Sequence, residues 1–138
     1  KPSGVSGGAS VAGSQVRVLN TIIKNTISGA SLASNQITLP AGEYEITASA
    51  PAFITDNHSI EFYNVTDATT VLFGTNEYCG NTTLPQTRSF IDSGFIIDSA
   101  KVFELVHLTQ TAFSSGLGGS TIGRTPEVYS QVKIKKVG

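Results

Sequence analysis

From Gly42 to Phe53 the chain alternates. Tyr44, Ile46, Ala48 and Ala50 fall on one side, and Glu43, Glu45, Thr47 and Ser49 on the other. A period of two is the mark of a half-buried β-strand. The apolar side shrinks from Tyr and Ile to alanines, so something must approach this strand closely at its far end. Short β-type runs recur along the rest of the sequence, separated by turn residues. They are QVRVLN (15–20), QITL (36–39) leading into Pro40-Ala41-Gly42, SIEFYNV (59–65) before the turn TDAT, and TTVLFGTNEY (69–78). QTRSFID and GFIID (86–98) flank Ser93-Gly94, where a bulge or tight turn is expected. AKVFELVHLTQTA (100–112) is the longest apolar run, and EVYSQVKIKKV (127–137) is the last strand. No segment carries a sustained helical period with a cap. About eight strands at regular spacing predict an all-β, two-sheet antiparallel sandwich or jelly roll. An immunoglobulin-like sandwich is the rival, but the chain has no Trp and a single Cys.

Two strands differ in how their faces are filled. In 127–137, Val128, Val132 and Ile134 give one dry face. In 100–108 both faces are apolar, with Val102, Val106 and Leu108 on one side and Phe103 and Leu105 on the other. A strand apolar on both sides is covered on both sides. In a two-layer sandwich the second cover has to come from another chain. Phe103, Leu105 and Tyr129 are therefore expected on an outer face that forms an oligomer interface, with His107 on the same side as a buried or interface histidine.

The 138 residues amount to one domain. Residues 1–14 (KPSGVSGGASVAGS) have linker composition and are expected to be extended or disordered, leaving 15–138 as a single folded domain. A chain starting at Lys1 reads as a fragment or processed product. Charged residues are only 14%, with net charge −1 and no basic stripe, which argues against nucleic acid as a partner. No apolar run reaches the roughly 20 residues of a membrane span. Cys79 stands alone and cannot form an intrachain disulfide; a free thiol fits assembly in a reducing cytosol. Few charges leave more surface available for burial against partners.

The stretch FSSGLGGSTIGRTP (113–126) is long, polar and rich in Gly. Its spacing is wrong for a phosphate cradle, and a strand rather than a helix follows. It reads as a mobile loop, or one held by a neighbour, with Ser115, Gly118, Thr121 and Arg124 as candidate binding residues. The search for reaction chemistry yields little. His58 and His107 stand at no metal-ligand spacing with Cys79 or with each other. Asp56, Asp67, Asp92 and Asp98 lie beside turn residues, where carboxylates bond the local backbone; a calcium ion held by two of them is not demanded by the spacing. Glu43 and Glu45 share a strand face and are weighed as a glycosidase pair, but exposed strand positions explain them more simply. Asn57, Asn64 and Asn81 begin Asn-x-Ser/Thr sequons, whose use needs a secretory passage. The expectation is a protein with no cofactor and no enzymatic activity.

Taken together, LPAGEYEI, YNVTDATT, QTRSF and KVFEL lie in a series running from about Gly7 to the C-terminus. That series resembles a jelly-roll module at the ends of phage tail fibres and other virion-surface proteins. The module is similar in plan to the globular heads of the tumour-necrosis-factor and complement superfamily. The resemblance implies a homotrimer packed about a three-fold axis, located at the virion surface, with loops offered at the tip. It implies attachment to a host cell-surface glycan or protein; the alternative is a decoration that binds other virion proteins. The SSGLGGSTIGRT insertion departs from the pattern, so no ligand carries over.

Overall fold

A computed structural model describes residues 1–80, 82–121 and 125–138, and ten strands occur among them. They are β1 (Gly13–Val16), β2 (Ser31–Ala33), β3 (Gln36–Leu39), β4 (Gly42–Phe53), β5 (Asp56–Asn64), β6 (Thr69–Phe73), β7 (Glu77–Cys79), β8 (Gln86–Ile97), β9 (Lys101–Thr109) and β10 (Gln131–Lys136). Every pairing is antiparallel, and no helix occurs among the described residues. One sheet has seven strands in the order β2-β3-β9-β5-β6, with β1 also on β9 and β7 also on β5. The other has three, in the order β10-β4-β8.

The two sheets face each other as a β sandwich. Tyr44, Ile46 and Ala48 of β4 and Ile91, Phe95 and Ile97 of β8 meet Ile60 and Phe62 of β5 and Phe103 and Leu105 of β9. Aromatic rings dominate the middle of the core. Phe62 stacks on Phe103 at 4.7 Å between ring centroids, and Phe95 tilts against both at 5.4 and 5.5 Å. Such pairs contribute beyond the area they bury.

The alanine end of β4 has its explanation in register. Ala50 and Ala52 pair with Ser89 and Thr87 of β8. Ser89 Oγ accepts from the Ile60 amide across the sandwich at 3.0 Å, and Thr87 Oγ1 lies 2.7 Å from His58 Nε2. The core grades from aromatic to polar along β4. Small side chains there make room for the groups that β5 and β9 send inward.

Three expectations are corrected. The face of β9 is inverted: Phe103, Leu105 and His107 are completely buried inside the sandwich, whereas Val102, Val106 and Leu108 point outward and are half-buried. β8 runs through Ser93-Gly94 without a break, in continuous register with β4. The register shift lies instead between Phe62 and Tyr63, where β5 meets β6. Val128 is 58% exposed and precedes β10, so the dry face of the last strand is limited to Val132 and Ile134.

Candidate functional site

The Gly-rich loop is part of the packed structure. Leu117 is buried, as are Gly116 and Gly118 on either side of it. The amide of Gly7 donates to the Gly118 carbonyl at 2.9 Å, Leu117 to Gly8 at 3.0 Å, Ser10 to Phe113 at 2.9 Å, and Phe53 to Gly116 at 3.0 Å. The leader and the loop thus lie against each other, and the expected linker boundary at residue 14 falls inside β1. The glycines serve close approach. A Cβ on Gly116 would collide with Ser10, one on Gly7 with the Leu117 carbonyl, and one on Gly118 would lie 2.5 Å from the Tyr129 ring. Gly118 also adopts φ +132°, a conformation that L side chains rarely take.

This changes the standing of the expected site residues. Phe103, Leu105 and His107 have no surface to offer a partner chain. Tyr129 is half-buried, packs on Gly118 and donates its hydroxyl to the Val5 carbonyl at 2.7 Å. Gly118 is enclosed, and Ser115 is half-buried. Thr121 is exposed, with its amide donating to both Glu127 carboxylate oxygens at 3.1 Å. Arg124 lies outside the described residues, as does the Asn81 sequon. Of Ser115, Gly118 and Thr121, only Thr121 is exposed.

Beneath the loop is a buried polar chain that local spacing does not reveal. Arg17 is 2% exposed and has no carboxylate within ion-pair distance among the described residues. Its guanidinium donates to Ser130 Oγ at 2.7 Å, to the Leu117 carbonyl at 2.8 Å and to the Pro51 carbonyl at 3.3 Å. It also reaches His107 Nδ1 at 3.4 Å. His107 Nε2 lies 2.9 Å from His58 Nδ1, although the two residues stand 49 apart in sequence. A guanidinium only donates, which fixes the remaining roles. His107 Nδ1 accepts, its Nε2–H donates to His58 Nδ1, and His58 Nε2–H donates to Thr87 Oγ1. The Thr87 hydroxyl ends the chain on the Tyr78 carbonyl at 3.5 Å.

Burial pushes the His107 pKa down to about 2, reinforced by Arg17 and then His58. Burial lowers His58 to about 4; Glu77 opposes that shift, and Arg17 adds to it. Arg17 falls to about 10 through burial and the nearby Arg88. Both imidazoles are therefore neutral at pH 7.

Two outer sheet faces remain open. On the seven-stranded sheet, register aligns Val16, Val106, Glu61 and Phe73 in one row, and Ser14, Leu108 and Ser59 in the next. Phe73 is 73% exposed and Val16 39%. On the three-stranded sheet an open groove of about 910 Å³ is lined by Glu43, Glu45, Asp92, Ile96, Lys133 and Lys135, among others. Gly94 has no side chain opposite Glu45, and that absence forms the depression between Asp92 and Ile96. Glu45 sits between Lys135 and Gly94, and Thr47 between Lys133 and Asp92. Yet Lys101–Asp67 at 2.9 Å is the only ion pair among the described residues, so the groove's charges stand side by side without closing on each other.

Among the described residues, no three His, Cys, Asp or Glu side chains gather to hold a metal. No helix there is long and apolar enough to cross a membrane. No protein-family model matches the chain, and no curated protein matches it significantly.

Proposed function

We propose that the chain is a non-enzymatic, homotrimeric jelly-roll module of a virion-surface fibre tip that attaches to a host cell-surface glycan or protein. The observation that carries this reading is the groove on the three-stranded sheet. Its carboxylates and ammonium groups present acceptors and donors together, unneutralised, on a rigid strand scaffold. Polar groups fixed on strands suit a ligand bearing both hydroxyls and charges. Self-association uses the other open face, where Val16, Val106, Leu108 and Phe73 supply apolar area. This keeps the idea of a covered outer sheet face and moves it to the opposite side of β9.

A second reading is decoration of the particle itself. Phe73 and Tyr78, at 73% and 62% exposure, favour a protein partner over a sugar at that end of the larger sheet. The test is binding of the isolated protein to host envelope material beside binding to particles that lack it. Attachment requires the first, and loss of that binding on Lys133→Glu and Asp92→Lys substitution. Retention on particles alone supports decoration.

A further inference from the structure

We propose that the Arg17–His107–His58–Thr87 chain is an acid-sensitive latch that holds the 113–119 segment and the leader against the sandwich. The chain has one direction. Arg17 can only donate, and each imidazole passes a single hydrogen onward to the next acceptor. Neither imidazole has a spare acceptor nitrogen. A proton added to His58 puts an N–H at Nδ1 against the Nε2–H of His107. If His107 answers by changing tautomer, its Nδ1–H then faces the guanidinium. The conflict moves along the chain but never leaves it until Arg17 withdraws.

The surrounding charges do not relieve this. Glu77 on β7 is the carboxylate that favours a charged His58. Arg17 opposes charge on both histidines, and Arg88 on β8 acts on Arg17 in turn. Burial outweighs Glu77, since both imidazoles are held neutral to well below their ordinary range. In an opened form the histidines regain a pKa near 6.5. Proton uptake below that value therefore favours opening.

What opens is set by the other bonds of Arg17. Its withdrawal frees the Leu117 carbonyl, the Pro51 carbonyl and Ser130 Oγ. Leu117 is the buried centre of the loop, and Gly7 and Gly8 of the leader are bonded to its neighbourhood. Acid is thus converted into release of one end of the sandwich, while the aromatic core between Tyr44 and Phe103 carries none of these groups.

Amide hydrogen exchange on the full chain between pH 7 and 4, corrected for intrinsic rates, tests this. Protection of the Leu117 and Gly7 amides should fall below pH 6.5 by up to about tenfold per pH unit for each histidine. It should stay lower than that of Ala48 and Ile91 throughout. His58→Gln should reduce the slope by about half. A flat profile at Leu117, or protection equal to that of Ala48 at every pH, overturns the proposal. If the variant does not fold, the wild-type imidazole resonances decide: titration near 6.5 in the folded protein overturns the latch, and titration below 5 supports it.

Discussion

Gly116 sits against Ser10 with no space for one added carbon. Thr55 closes the same spot from the other side, 2.9 Å from where that carbon would lie. Gly116→Ala should therefore destabilise the protein by about 1–3 kcal/mol, the usual cost of overpacking. The Tm should fall by several degrees in a thermal melt. Shortening 115–121 to a brief turn should also lower the Tm, because it removes the buried Leu117 and its bond to Gly8. An unchanged melt in both variants would show that the loop does not rest on the leader.

The two faces of β9 should respond in opposite ways. Phe103→Ala removes a ring stacked on Phe62 in the dry core and should cost about 3–5 kcal/mol in urea denaturation. Val106→Glu changes the open face and should leave the monomer's stability within about 1 kcal/mol, because it empties no cavity. Light scattering should show wild type heavier than the Val106→Glu variant. Equal monomer masses at micromolar concentration would remove the trimer.

Global stability should fall on acidification in a window set by the histidines. Folding lowers the pKa of His58 to about 4 and of His107 to about 2, so it favours the neutral bases. The stability they contribute is complete above the unfolded value of about 6.5. It declines as pH drops, by at most about 1.4 kcal/mol per pH unit for each histidine. Asp67 and Glu127 are shifted downward, by Lys101 and by backbone donors respectively, so their share is lost only within and below the ordinary carboxylate range. A urea midpoint that stayed constant from pH 6.5 to 4.5 would contradict neutral buried imidazoles.

Cys79 is fully buried at the end of β7, with its Sγ 3.1 Å from Thr55 Oγ1 and 3.4 Å from the Thr55 amide. A serine hydroxyl can take over both contacts. Cys79→Ser should stay within about 1 kcal/mol of wild type, close to the net value of one hydrogen bond. Thiol labelling of the native protein should be slow and should accelerate only with unfolding. Rapid labelling at pH 7 would mean that this end of β7 opens readily.

Much of the framework was legible because period-two alternation is unambiguous where one face is polar. Tyr44, Ile46 and Ala48 turn inward as expected, and β4 begins and ends close to where the pattern does. β9 defeated the same rule, since composition alone cannot orient a strand that is apolar on both sides. The histidine pair was hidden by distance: β5 and β9 bring His58 and His107 together through pairing, which spacing along the chain does not encode. Glycines were misread for a related reason. In the leader and in the loop they resembled slack, while Gly7 leaves the space that the Leu117 carbonyl needs and Gly116 the space that Ser10 needs. The shared strand face of Glu43 and Glu45 was visible, but the groove depended on Gly94 facing Glu45 in the neighbouring strand.

The apposition of leader and loop also determines how the protein would bear mechanical load. Tension applied at Lys1 meets the bonds of Lys1 and Gly4 to Glu127 and of Val5 to Tyr129, then those from Gly7 to Gly118 and from Ser10 to Phe113, before it reaches β1 on β9. These contacts stand in series with the sheet, so under such a load they would peel first and extend the leader while the sandwich stays shut. They would act as a sacrificial fuse against sudden pulls.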